Sequence, residues 1–196
     1  MSFQGLKKHI IKELRENAKG LISKNYYKVR QAVKPIIIDA IYESPEMESV
    51  RSGKLKYDLG LSVDPSLLIA WSVADTMRLQ YSYSPQYVFN FSLSIQPYNY
   101  KNLLALEQAV ITSESGSQIP WLEWLLTYGN KIIMLDFGVL YKDGVGRTGG
   151  AIMVKNITPF MIDPAFSGVE DNNFISRALK NNAQKIQQAA WQTLLI

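Results

Sequence analysis

Few residues in this chain are equipped for chemistry, and their spacing argues against most of what they could do. Among 196 residues there is one histidine, His9, and no cysteine. Disulfides and thiolate metal sites are therefore excluded, and a His-rich metal site or a Ser–His–Asp triad would hang on His9 alone. No G-x-S-x-G segment supplies a matching nucleophile. The acidic residues Asp58, Asp64, Asp75, Glu123 and Asp136 are scattered rather than clustered as a divalent-cation loop requires. Asp136 stands in an apolar run, where an edge position or a salt bridge explains it more simply than catalysis does. The glycine-rich GVGRTGG (144–150) invites a phosphate-loop reading. That loop needs G-x-x-x-x-G-K-[ST] between a strand and a helix, whereas the following AIMVK reads as a strand. A hairpin turn fits it better, with Arg147 at the tip available to a partner. Catalytic, metal and cofactor sites are all expected to be absent. An enzyme working through carboxylates and water would need two carboxyls that converge only in space.

The informative residues are those suited to surfaces. Residues 1–34 hold nine Lys/Arg against Glu13 and Glu16, a net of +7, while the remainder carries twelve basic and fifteen acidic residues, a net of −3. A basic arm on a mildly acidic body fits contact with nucleic acid or an acidic partner subunit. Lys7, Lys8, Lys12, Arg15 and Lys19 are the residues that would track phosphates, although charged helix faces are most often just solvated. In PWLEWLLTY (120–128), Trp121, Trp124 and Tyr128 share one face and leucines cover the others. Two readings stay open for it: a core helix, or a subunit interface anchored by aromatics. The last helix shows a face rich in uncharged amides, including Gln184 and Gln188. Such a face enters a packed interface at lower desolvation cost than Lys or Glu, against a partner or the long first helix.

These residues must be carried by a small set of elements. Residues 6–41 repeat apolar side chains at three- and four-residue steps, which predicts one long N-terminal helix or, with Pro35 removing an N–H, a kinked pair within 1–43. Residues 44–60 read as a connecting loop with a short helical turn. Asp64-Pro65 then caps a helix over SLLIAWSVADTMRL. From residue 80, Tyr81, Tyr83, Tyr87, Phe89, Phe91, Leu93 and Ile95 alternate with polar residues, predicting a strand interrupted at Pro85. Strands at 131–141 and 147–156 form a hairpin, Phe160–Ile162 adds an edge strand, and Gly129 stops the tryptophan helix. A C-terminal helix runs over 171–195. The expected fold is α+β in one domain (1–196): a helix-and-sheet body over 64–162, with an antiparallel sheet of about three to five strands covered by helices.

Composition bounds the rest. An apolar fraction of 47% belongs to a globular chain. No apolar run approaches the roughly 18 residues of a membrane span. The opening MSFQGLKKHIIKELRE develops no apolar h-region, so a soluble protein made in a cytoplasm is expected, with no membrane partner.

Three segments together resemble the neck, or head–tail completion, proteins of tailed bacteriophages: IPWLEWLLTYGNKIIMLDFGVLY (119–141), GRTGGAIM (146–153) and FSGVEDNNFISRAL (166–179). The resemblance covers mainly residues 95–180. SVRSGKLKYDLGL (49–61) looks like that family's early TG-x-L element, with Ser52-Gly53 in place of Thr-Gly. The resemblance implies a virion structural protein without cofactor or turnover, made in the host bacterial cytoplasm. Copies would form a homo-oligomeric ring at the neck, joining portal-side to tail-side virion proteins, with the basic helix facing DNA in the channel or an adjacent ring. The alternative is a non-specific nucleic-acid-binding module using the basic N-terminal helix.

Overall fold

The computed structural model describes residues 3–83, 89–96, 99–113, 116–155 and 158–194, and within them the chain opens on α1 (Phe3–Tyr42), one helix of 40 residues. Its second half is built into the core. Ile22, Val29, Val33, Ile37 and Ile41 are buried at steps of four and seven, which puts them on one face. Against that face pack α4 (Ser66–Asp75), α7 (Phe174–Asn181) and α8 (Ala183–Leu194). Each such aliphatic side chain contributes roughly 1.5–3 kcal/mol when fully buried.

The expected break near residue 34 does not occur, because α1 continues through Pro35. Pro35 sits on the exposed side of the helix. The carbonyl that loses its N–H partner there faces water, while Val33, Ile36 and Ile37 on the other side hold the helix to the core. The expected loop at 44–60 is instead two short helices, α2 (Pro45–Ser52) and α3 (Lys54–Asp58). Ser44 caps α2 by accepting the Met47 N–H at 3.3 Å, with Pro45 at the first helical position. Asp64 accepts the Ser66 N–H at 2.9 Å and so starts α4 as its sequence indicated. Ser66 Oγ donates to the Met47 carbonyl at 3.4 Å, and Asp75 meets Arg30 and Lys34 at 2.8 and 2.7 Å, so α4 runs antiparallel to α1.

The fold is α+β, as read from the sequence, and its strands are all antiparallel. Among the described residues they form separate two-stranded ladders rather than one sheet. The alternating segment after residue 77 is a hairpin of β1 (Arg78–Tyr83) on β2 (Phe89–Ser94), with Arg78 opposite Ser94 and Tyr83 opposite Phe89. Pro85 and Tyr87 lie outside the described residues. A short helix, α5 (Lys101–Leu104), leads to a small ladder of β3 (Ile111–Thr112) on β4 (Gln118–Ile119).

The tryptophan segment begins as α6 (Trp121–Glu123), continues as a π-helical turn over Trp124–Tyr128, and stops at Gly129, whose φ is 61°. The strand expected over 131–141 is two, β5 (Ile132–Met134) and β6 (Phe137–Tyr141), and exposed Asp136 occupies the bend between them rather than a strand interior. β6 pairs with β7 (Ala151–Lys155), and β5 with β8 (Phe160–Met161), the expected edge strand.

The expected terminal helix is also two, α7 and α8, interrupted at Asn182. Asn173 starts α7 and is fully buried. Its Oδ1 accepts the N–H groups of Ile175 and Ser176 at 3.1 and 3.3 Å, and its own N–H is taken by Ser176 Oγ at 2.9 Å, closing a reciprocal cap. Its Nδ2 donates to Tyr100 Oη at 2.7 Å and to the carbonyls of Val169 and Leu126 at 3.1 and 3.4 Å. One side chain thus ties α7 to the tryptophan helix and to α5. Asn173→Ala removes the cap and strands buried carbonyls, so a loss of about 2–4 kcal/mol is expected in urea unfolding. A loss within error of zero would show that Asn173 is no structural hub.

Candidate functional site

The segments at 49–61, 119–141, 146–153 and 166–179 converge on one another in space. In the first, Gly53 separates α2 from α3, and a Cβ there would meet the Ser49 Cα at 2.8 Å. Ser49 Oγ accepts the Leu55 N–H at 3.0 Å, and Leu55 is fully buried. The glycine and leucine are therefore demanded by packing. In the third, a Cβ on Gly150 would meet the Tyr57 ring at 2.5 Å, so the loop between β6 and β7 lies directly on α3. Tyr141 Oη donates to Asp58 Oδ1 at the same junction. In the fourth, a Cβ on Gly168 would fall 2.5 Å from the Asn173 Cβ.

Arg147 is exposed, yet its guanidinium works within the subunit. Its Nη1 donates to the Thr112 carbonyl at 3.0 Å, and the group lies across Gly60, which has a φ of 67°. It therefore joins the 142–150 loop to β3 and to the turn after α3. Burial raises the Asp58 carboxyl above the ordinary aspartate range, an effect that the Tyr141 hydroxyl and nearby Lys54 oppose. Burial and the same carboxylate push the Tyr141 phenol up. Lys54 bonds Asp163 at 2.7 Å, which raises the lysine, while Lys54 and the Ala165 N–H lower Asp163. The cluster has the character of a clamp between α3, β6 and the segment before α7.

Of the two readings for the tryptophan helix, the subunit shows the core one. Trp121 and Trp124 are buried, and Trp121 Nε1 donates to the Gln108 carbonyl at 2.7 Å. Trp124 meets the Phe160 ring edge-on at 6.2 Å. Tyr128 alone of the three is exposed, with Lys131 Nζ 5.8 Å from its ring centre. Gln184 and Gln188 face outward on α8, while Ile186, Ala190 and Leu194 pack inward.

The most conspicuous surface is the first half of α1. From Gln4 to Leu21, about 27 Å of helix at 1.5 Å per residue, no described side chain is fully buried. Leu6, Ile10 and Leu14 are 46%, 49% and 46% exposed, and Leu21 follows two turns after Leu14. Lys8 and Arg15 continue the seven-residue series of buried Ile22 and Val29, and all five basic residues singled out from the sequence are exposed. The face that is apolar in the body is thus basic in the arm, and the arm's aliphatic stripe is displaced to one side. A second apolar surface escaped sequence reading. Val63 just before α4, and Leu67, Leu68 and Trp71 along it, are exposed, and Lys34 Nζ stands 4.2 Å over the Trp71 ring. Its signal was available, because SLLIAWSVAD is apolar on all sides and only one side can face α1.

Among the described residues no group of three or more His, Asp or Glu side chains is placed to share a metal ion, and no helix is long and apolar enough to cross a membrane. Fold and surfaces together describe an α+β chain with apolar helix faces that its own core leaves exposed. No protein-family model, curated protein or solved structure matches the chain.

The ion pairs carry a pH signature. Lys34, then Arg30, hold the Asp75 carboxyl below the ordinary aspartate range. Stability from a depressed carboxyl is present above its unfolded pKa and lost as pH falls through the folded value. Asp75→Asn is therefore expected to be less stable than the wild type at neutral pH, with the gap closing in acid below the ordinary aspartate pKa. Urea midpoints across pH measure this. A gap that stays constant into acid would remove the electrostatic assignment.

Proposed function

We propose that this chain is a structural subunit of a tailed-bacteriophage virion, forming part of a ring at the neck between the portal side of the head and the tail. The observation that carries the reading is the arm over residues 4–21, a helix without a single buried described side chain. Isolated helices of this length are marginal in water, so an arm that also displays aliphatic residues implies a surface supplied by another molecule. The resemblance of four segments to neck proteins gives that molecule a setting, and the motif residues packed around Gly53, Gly150 and Asn173 give those segments a structural reason. Homo-oligomeric rings, with portal-side and tail-side proteins as neighbours, are the partners this reading assigns. Chemistry and cofactors have no part in it.

A second reading is favoured by one observation, the exposed cations Lys8, Lys12, Arg15 and Lys19 on one face of α1. As a non-specific nucleic-acid module, the arm would bind duplex with log affinity falling against log salt at a slope of roughly −0.9 per phosphate contacted. Antibody labelling of purified particles tests the first reading, with label expected at the head–tail junction. Particles that lack the chain, or carry it elsewhere, overturn it. DNA affinity that is insensitive to salt and to Lys8→Glu/Lys12→Glu/Lys19→Glu removes the second.

A further inference from the structure

A cleft of about 1040 Å³ opens at the root of the β1–β2 hairpin, beside the ion pair of Arg30 and Asp75. Part of its lining is aliphatic: Leu93 and Ile95 from the end of the hairpin and Leu179 from α7, all half-buried. The same three side chains border a second hollow of about 280 Å³, where Phe91 and Trp191 meet edge to face at 5.5 Å. The charged part of the lining is cationic. Among the described residues around the cleft Asp75 is the only acid, and Arg30 and Lys34 already bond it at 2.8 and 2.7 Å. Arg78 and Lys101 line the cleft as well. Both are exposed, and neither has an ion pair among the described residues. The sequence holds no acidic residue between Asp75 and Glu107, so neither the hairpin nor α5 can answer those two charges.

The cleft is shaped before anything enters it. Gln96 and Tyr100, both in its lining, have φ of 50° and 49°, the left-handed region that residues with a Cβ seldom occupy. Backbone strain of this kind persists only where the surroundings fix it, and it clusters at binding sites. Here the fixing groups are visible. The Gln96 N–H donates to Thr76 Oγ1 at 2.7 Å, and the Gln96 and Asn102 amides exchange hydrogen bonds at 2.8 and 3.2 Å. Tyr100 Oη donates to the Glu170 carbonyl at 2.8 Å. A wall held this way costs little further ordering when a partner binds.

We propose that this cleft docks a segment of a neighbouring protein chain in which carboxylates stand beside aliphatic side chains. The carboxylates meet Arg78 and Lys101, and the aliphatic groups cover Leu93, Ile95 and Leu179. Charge complementarity selects the occupant, since the two unanswered cations need an anion and the aliphatic lining needs an apolar body on the same molecule. A nucleotide suits the cleft less well, because bases are read by free hydrogen-bonding edges and by stacking on open rings. Asn102 Nδ2 is spent on Gln96 and on the Ser72 carbonyl at 3.4 Å. Tyr100 is 3% exposed, and the half-buried Tyr26 places its hydroxyl on the Met77 carbonyl at 3.4 Å. Duplex phosphates would reach the cations and leave the aliphatic lining in water. The proposal rests on the reading of the chain as a subunit of a larger assembly, and it names the chemistry of one of its neighbours.

The test is an amide NMR titration of the full chain with an acetylated, amidated hexapeptide that alternates leucine and glutamate. Parallel titrations use the same peptide with glutamine for glutamate, octanoate, and thymidine monophosphate. The acidic peptide is expected to shift the amides of Leu93–Gln96, Lys101 and Ser176, with a dissociation constant below about 1 mM. The glutamine peptide and the variant Arg78→Glu/Lys101→Glu are each expected to bind at least about tenfold more weakly. Lys8→Glu/Lys12→Glu/Lys19→Glu, which reverses exposed charges on the arm, is expected to bind as the wild type does. All the substituted side chains are exposed, and circular dichroism checks that helix content is kept. An acidic peptide that shifts nothing in the cleft, a glutamine peptide that binds equally well, or an equal loss in the arm variant overturns the proposal. Tighter binding of octanoate or thymidine monophosphate overturns it too, by assigning the cleft to a small molecule. Each of these results leaves the location of the chain in particles unaffected, whereas its absence from particles overturns the neck reading and not the binding of the peptide.

Discussion

Everything in this subunit is arranged around the buried stripe Val29–Val33–Ile37–Ile41 of α1, which α4, α7 and α8 cover. That packing fixes the second half of a 40-residue helix, while no described side chain from Gln4 to Leu21 is buried. Helix propagation from an already formed turn adds one hydrogen bond per residue fixed, while nucleating a new helix is costly. The anchored half therefore supplies the nucleus on which the arm grows. Pro35 does not interrupt this, since its missing donor faces solvent at a point where the inner face is firmly packed.

The same stripe explains the position of the motif-rich segments. α2 and α3 turn the chain back from the end of α1, and the clamp of Asp58, Tyr141, Lys54 and Asp163 then holds the β6–β7 hairpin and the segment before α7 against them. Asn173 completes the closure at the start of α7. Glycines at 53, 150 and 168 sit where a Cβ would collide with a neighbour; for Gly150 that neighbour is Tyr57 and for Gly168 it includes the Leu125 carbonyl, each in another segment of the motif set. The short ladders hold these crossings in place rather than building a sheet of their own.

Much of the architecture was legible in the sequence because it rests on local periodicity. The long first helix, the capped helix after Asp64, the hairpin at 137–155 and the stop at Gly129 each follow from spacing and turn residues. The divisions were harder to see. Nothing in the alternation distinguishes a single strand interrupted at Pro85 from a hairpin, because the pairing of β1 with β2 is decided by cross-strand contacts. The break at Asn182 and the bend at Asp136 likewise depend on what the flanking elements pack against. Among the surface residues, the arm's lysines were identified by charge alone, whereas Trp121 and Trp124 kept two readings until their burial chose the core.

The sequence by itself determined which chemistry is out of reach, since one histidine and no cysteine exclude it by composition, and it determined the helical stretches whose period needs no partner to read. It also marked the basic first 34 residues, because charge is a property of residues and not of their contacts. Only the tertiary structure decided which apolar faces are covered. The stripe of Val29 and the stripe of Leu14 look alike in sequence, and one is buried while the other is exposed. Burial depends on what stands opposite a side chain rather than on the side chain itself.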